Sequence, residues 1–279
     1  MPTAASGTQK PRDDKPALQL DFGVYQSDKA TVMYRKLNPV LEALASELDA
    51  RLDASVDLRL TIFKSYDEGI ESLVAGKIDF TRFGPASYIT AKQRNDDIQL
   101  LAMELEHGER RFLGVIAVLN SSPLQSLTDL KGKRFAFGDP NSTIGRYLAQ
   151  AELAQAGIRA KDLESYAFLS RHDTVARAVE LGDYDAGSMA VNTFEDSRKA
   201  GKLRALKTFE NVTKPWIARA RLAPEVVAAL HDSLLALKDP EVLKELKISG
   251  FGETSDAEYA FVREGMKRAD DFNLGSTKH

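Results

Sequence analysis

Residues 66–88, "YDEGIESLVAGKIDFTRFGPASY", and residues 172–194, "HDTVARAVELGDYDAGSMAVNTF", can be written one above the other without a gap. In that alignment Asp67 meets Asp173, Gly76 meets Gly182, Asp79 meets Asp185 and Tyr88 meets Phe194. Apolar positions agree as well: Ile70 with Ala176, Leu73 with Val179, Ile78 with Tyr184. Upstream, "FGVYQS" (22–27) resembles "FGDPNS" (137–142), each closing an apolar run and opening a helical one. Any two βαβ units share a helix, a Gly stop and an Asp. Two matched segments in the same order predict instead a duplicated lobe.

Periodicity fills in the units. "LQLDFGVY" (18–25) and the alternating "VDLRLTIF" (56–63) predict strands, with a helix between them from Thr31 to Leu52. A helix over 66–75, a short strand in "IDFTRF", a helix from Pro85 and a buried strand at "FLGVIAVLN" (112–120) follow. The order then restarts: strand at 134–138, helix from Thr143, strand at 165–169, helix from Asp173, strand at "YDAGSM". Such alternation predicts α/β layers on largely parallel sheets, in two lobes whose strand C-termini face a shared cleft, where open α/β sheets bind ligands. Matching positions become opposed jaws: Tyr25, Tyr66 and Tyr88 on one side, Asp139–Gly145, His172 and Asn192 on the other.

Composition narrows the function. With 43% hydrophobic and 28% charged residues the chain has material for a sizeable core. A net charge of −3 gives no general attraction to nucleic acid, so an anionic ligand requires a local site. The absence of cysteine excludes disulfides, thiolate zinc sites and cysteine nucleophiles. No run approaches the roughly 18 apolar residues of a membrane span. The polar opening "MPTAASGTQKPRDDKPA" lacks the apolar core of a signal peptide and reads as a flexible leader.

The loop "GDPNSTIG" (138–145) carries three readings. It is a plain helix cap through Ser142 or Thr143, an anion grip made by the helix's free N–H groups, or a catalytic elbow. The elbow is the weakest, because G-x-S-x-G is missing and nothing marks an orienter for His172 as base. Phosphate-loop and dinucleotide signatures are also missing, and the four histidines lack metal-ligand spacing, so no cofactor or metal is expected. Asp139 is expected to turn away into its loop. His172 reads as a cap or as a ligand-facing donor, and Tyr25 and Tyr88 as core or cleft. Arg82 and Arg146 read as anion partners or as salt-bridge residues. The charges over Lys238–Lys247 and Arg263–Arg268 read as a solvated helix face.

These residues, with "FGVYQSDKATVMYRKLNPVLEAL", "GKIDFTRFGPASYITAKQ", "LKGKRFAFGDPNSTIGRYLAQAELAQAGI", "RHDTVARAVELGDYDAG" and "KPWIAR", resemble the periplasmic substrate-binding proteins of phosphonate-, phosphite- and phosphate-type ABC importers. The resemblance covers most of 20–220. It implies a two-lobed type II periplasmic-binding-protein fold that closes on its ligand by a hinge. The expected division is a leader over 1–17, one lobe of 18–115 plus 215–279, and a second of 116–214. The resemblance implies that Ser142, Thr143 and the N–H groups of the following turn (Ile144) hold the oxyanion, with His172, Tyr25, Tyr88 and Asn192 completing the grip. Phosphonate binders of this family also use acidic side chains to hold a ligand amine or P–OH. Here Asn192 and Lys214 stand where those acids are expected, so a smaller or more highly charged oxyanion fits better. A periplasmic, monomeric receptor that is no enzyme, working with an ABC permease, is the expected function. The alternatives are a ligand sensor for a signalling partner and a Ser142/His172 phosphoesterase.

Overall fold

The computed structural model of the chain describes residues 15–274. Most of the expected leader, 1–14, lies outside the described residues, and β1 (Ala17–Tyr25) starts at its last residue. The first unit continues with α1 (Ala30–Leu52), β2 (Ser55–Phe63), α2 (Tyr66–Val74), β3 (Phe80–Arg82), α3 (Pro85–Arg94) and β4 (Gln99–Leu105). The second comprises β5 (Arg111–Leu119), β6 (Arg134–Phe137), a π-helical segment (Thr143–Leu148) running into α4 (Ala149–Gln155), β7 (Ser165–Phe168), α5 (His172–Glu180), β8 (Ala186–Ala190), α6 (Val191–Lys199) and β9 (Leu203–Val212). The chain ends with β10 (Pro215–Ala218), α7 (Pro224–Ala236), α8 (Pro240–Leu243), β11 (Gly250–Gly252) and α9 (Ala260–Phe272).

The aligned segments are structural equivalents. The segment that forms α2 and opens β3 and α3 forms α5 and opens β8 and α6 in the second unit, in the same register. The shared residues have shared work. Gly76 and Gly182 end their helices at φ 71° and 77°, a left-handed conformation that a side chain resists. Asp79 accepts the Asp21 amide at 2.8 Å and Asp185 accepts the Arg134 amide at 2.8 Å, each carboxylate pinning the neighbouring first strand of its unit's parallel set, β1 at its middle and β6 at its start.

The two sheets run β2-β1-β3-β10-β4-β11 and β7-β6-β8-β5-β9. Only the first three strands of each are parallel; β10 lies antiparallel to β3 and β4, and β5 antiparallel to β8 and β9. The largely parallel sheets expected from the alternation are therefore mixed. The reason is the connection: the chain passes from β4 directly to β5 and from β9 directly to β10, without a crossover helix that would return the strand to parallel. The expected change of lobe at 115/116 falls inside β5, whose residues all pair within the second sheet.

Each sheet has its own aromatic core. Trp216 stacks on Phe22 at 5.0 Å and Phe80 tilts against Phe22 at 4.8 Å in the first. In the second, Phe135 and Phe137 lie 4.5 Å apart, and Phe272 of α9 meets Phe137 edge-on at 5.6 Å. The C-terminal helix thus presents Lys267 and Arg268 to solvent, as expected, while its Val262, Gly265, Ala269 and Phe272 are buried. At Gly265 helix α9 comes close to Leu148: a Cβ there would stand 2.4 Å from Leu148 Cδ2, so that side chain would have to turn aside.

Candidate functional site

A cavity of about 120 Å³ opens between the two units. Six helical N-termini reach it: Ser27 and Asp28 ahead of α1, Tyr66 of α2, Gly84 and Pro85 of α3, Ser142–Ile144 of the π-helical segment, His172 of α5, and Asn192 and Thr193 of α6. Their first-turn N–H groups lack helical carbonyl partners, and the aligned peptide dipoles add partial positive charge. The duplication makes this convergence: equivalent strand ends in two similar units aim equivalent helix starts at one space.

The loop at 138–145 is held by diverted backbone bonds. The Gly145 carbonyl accepts from the Gly138 amide at 2.8 Å and from Ser188 Oγ at 2.8 Å. With that carbonyl drawn to the sheet, the Ser142 carbonyl takes both the Arg146 and Tyr147 amides at 3.1 Å, and the expected α-helix opens as a π-turn. Ser142 Oγ accepts from the Gly145 amide at 2.9 Å, an ordinary N-cap. Thr143 and Ile144 keep their amides free among the described residues. Asp139 turns into its own loop, as expected: its Oδ1 accepts from the Asn141 amide at 2.7 Å, and burial raises its pKa to about 6.

The jaws touch. The Ala86 amide donates to Thr143 Oγ1 at 2.9 Å and Asn141 Nδ2 to Asp67 Oδ1 at 2.9 Å, joining the first unit to the second. Tyr25 lines the cavity with its ring on Tyr66, centroids 3.6 Å apart; its hydroxyl accepts the Gly84 amide at 2.5 Å and donates to Ser87 Oγ at 3.0 Å. His172 is half-buried, and its Nδ1 is buried without a hydrogen-bond partner. Burial, helped by the nearby Lys214 ammonium, lowers its pKa to about 4, so the ring is neutral at pH 7. It makes no hydrogen bond with Ser142 among the described residues, and the nucleophile–base geometry of a phosphoesterase is absent.

Tyr88 is a correction. It does not line the cavity; it is 1% exposed, packs on Tyr259 at 4.9 Å and donates its hydroxyl to Asp256 Oδ1 at 2.7 Å. Its place on the fourth residue of α3 turns it into the unit, and its counterpart Phe194 is likewise buried. That apolar partner in the alignment was the available signal. Arg82 lines the cavity but is paired through its guanidinium with Glu104 (Nη2–Oε2 2.9 Å). Arg146 instead donates to the Pro140 carbonyl at 2.7 Å and covers the Tyr147 ring.

Several cavity residues carried no mark in the sequence. Lys36 on α1 pairs with Asp28 at 3.2 Å, and Phe112, Met33 and Leu246 supply apolar wall. Asn211 on β9 is buried with both amide atoms unpartnered. Lys214, between β9 and β10, rests over the Phe112 ring at 4.8 Å, and burial and the Arg82 charge lower its pKa to about 8. The sequence already singles Lys214 out as a base where the family's acids are expected; its place on the connection between the sheets comes from the strand pairing.

Residues 22–259 match the family of ABC transporter phosphonate periplasmic substrate-binding proteins. The chain belongs to that family. A probable ABC transporter phosphite binding protein PhnD1 of Prochlorococcus marinus is 25% identical over 73% of this chain and 70% of its own length. The phosphonates-binding periplasmic protein of Escherichia coli is 25% identical over 88% and 75%. Among solved structures, that of PhnD1 from P. marinus in complex with methylphosphonate superposes with a TM-score of 0.78 at 21% identity, covering 91% of this chain and 98% of that one. A binding protein component of an ABC phosphonate transporter from Pseudomonas aeruginosa gives 0.80 at 20%, covering 95% and 91%. The fold is the two-lobed periplasmic-binding-protein fold, with the cavity between its two units. This family's members bind solutes for ABC importers and are not enzymes.

Proposed function

We propose that this binding protein captures a small tetrahedral oxyanion, of phosphonate, phosphite or phosphate type, and delivers it to an ABC permease as an exported, periplasmic monomer. The observation that carries the reading is the convergence of helical N-termini, with the free Thr143 and Ile144 amides among them, on a cavity also lined by Lys36, Arg82 and Lys214. Ser142, Thr143 and Ile144 grip the oxyanion, His172 and Asn192 donate from the facing helices, and Tyr25 shapes the wall. One lobe is the first sheet with its helices, the other the second; the hinge is the pair of connections at 106–110 and 213–214. The names of relatives that bind phosphite and phosphonates support the substrate class.

The test is a thermal-denaturation panel with phosphate, phosphite, methylphosphonate, 2-aminoethylphosphonate and sulfate. A ligand at 100 times its dissociation constant stabilises by about 2.7 kcal/mol. Failure of every oxyanion to shift the melting temperature overturns the proposal. The Thr143 hydroxyl oxygen accepts from Ala86 while its proton is free for the ligand. Thr143→Ala is expected to weaken binding by about 1.5–3 kcal/mol in calorimetric titrations, as for hydrogen bonds to a charged group. Unchanged affinity would leave Thr143 only the joining of the jaws.

A further inference from the structure

The cations lining the cavity are not all ion-paired: Lys214 feels the Glu104 and Glu106 carboxylates only at longer range. Arg82 is matched by Glu104, and Lys36 by Asp28. Lys214 has no carboxylate within 4.0 Å and no hydrogen bond from its ammonium among the described residues; its one recorded partner is the face of Phe112. Three residues earlier, Asn211 lines the same cavity with a fully buried carboxamide whose Nδ2 and Oδ1 are both unpartnered. A buried amide without partners is destabilising, and the half-buried Lys214 ammonium lies beside it with only an aromatic face as partner. The Asn211 Nδ2–H and the Lys214 ammonium are both donors, and one ligand group that accepts hydrogen bonds and carries negative charge can take both.

The tetrahedral head has its own donors at Thr143 and Ile144. Beside those donors the cavity has an apolar side. Phe112, Met33 and Leu246 line it with carbon and sulfur, suited to a methylene or two.

On the reading of an oxyanion receptor, we infer that the preferred ligand bears a short organic substituent ending in a second acid, a phosphonocarboxylate, whose carboxylate is held by Lys214 and Asn211. Lys214 is the specificity-determining residue: it attracts a carboxylate and repels the ammonium of an aminoalkylphosphonate.

Calorimetric titration of the full chain with phosphonoacetate, 3-phosphonopropionate, methylphosphonate and 2-aminoethylphosphonate tests this. One of the two phosphonocarboxylates is expected to bind at least about tenfold more tightly than methylphosphonate, the gain from a charged hydrogen bond, with 2-aminoethylphosphonate weakest. Lys214→Met is expected to remove that advantage, bringing the phosphonocarboxylate and methylphosphonate affinities to within about threefold of each other, a difference small against one tenfold step. Methylphosphonate or 2-aminoethylphosphonate binding as tightly as both phosphonocarboxylates overturns the inference and leaves the oxyanion reading standing. Equal weakening of all ligands by Lys214→Met also overturns it, because Lys214 then holds the head. Failure of all four, with phosphate and sulfate failing too, overturns both. The wild-type comparison decides even if the variant does not fold.

Discussion

Glu104→Ala is expected to destabilise the protein by about 3–5 kcal/mol, the cost of leaving a buried charge without its partner. Glu104 is 1% exposed on β4, takes the Arg82 guanidinium in a two-point pair, and accepts Trp216 Nε1–H at 3.0 Å. These three residues come from β4, β3 and β10, so one carboxylate ties neighbouring strands beside the cavity that Arg82 lines. Its loss also strands Arg82 beside the Lys214 ammonium. Burial by itself pushes the Glu104 carboxyl up, but the Arg82 and Lys214 charges and the hydrogen bonds from Arg82 and Trp216 reverse this and hold it below its ordinary 4.5. A lowered carboxylate contributes stability in full above the ordinary value and loses it as pH falls through the lower, folded one. Urea denaturation should therefore show the difference between wild type and variant at neutral pH and a narrowing of it below pH 4.5. An equal midpoint at pH 7 contradicts the network's role.

Gly145→Ala is expected to cost about 1–3 kcal/mol in stability, as overpacking does, and to lower oxyanion affinity at least about tenfold. A Cβ at 145 would stand 2.9 Å from Gly138 Cα and 3.1 Å from Gly138 N, both backbone, and 2.9 Å from Ser142 Oγ. Backbone cannot rotate aside as a flexible side chain can, so strand β6 and the π-turn must part. That movement breaks the Gly138–Gly145 bond and displaces the Thr143 and Ile144 amides together. Chemical denaturation and calorimetry on the same sample separate the two losses. Unimpaired affinity would show that the loop's geometry is not what grips the ligand.

How much of this was legible before the structure differs by element. The duplicated segments were readable because their Gly and Asp residues do backbone work, ending a helix and pinning a strand, and such work tolerates few substitutes. Ser142, Thr143, Ile144, His172 and Asn192 were placed by the same register, since a residue at a helix start keeps its direction wherever the helix packs. Tyr88 failed for a related reason: being four residues into its helix, it faces the unit's interior, and its counterpart Phe194 already said so. The strands β4, β9, β10 and β11 left a weak local pattern because two of them, β10 and β11, have only 4 and 3 residues and owe their existence to pairing across the sheet. Asn211 on β9 belongs to that class, since the facing of a strand depends on partners distant in sequence. Arg82 was open between two readings, and the buried Glu104 that decides it lies in a strand periodicity had not marked.

The most direct measurement is a crystal structure of the protein grown with methylphosphonate. One phosphonate per chain is expected in the cavity, its oxygens about 2.7–3.1 Å from the amide nitrogens of Thr143 and Ile144, the ordinary range for such bonds. A phosphonate bound elsewhere, or one that leaves both amides without an oxyanion partner, would contradict it.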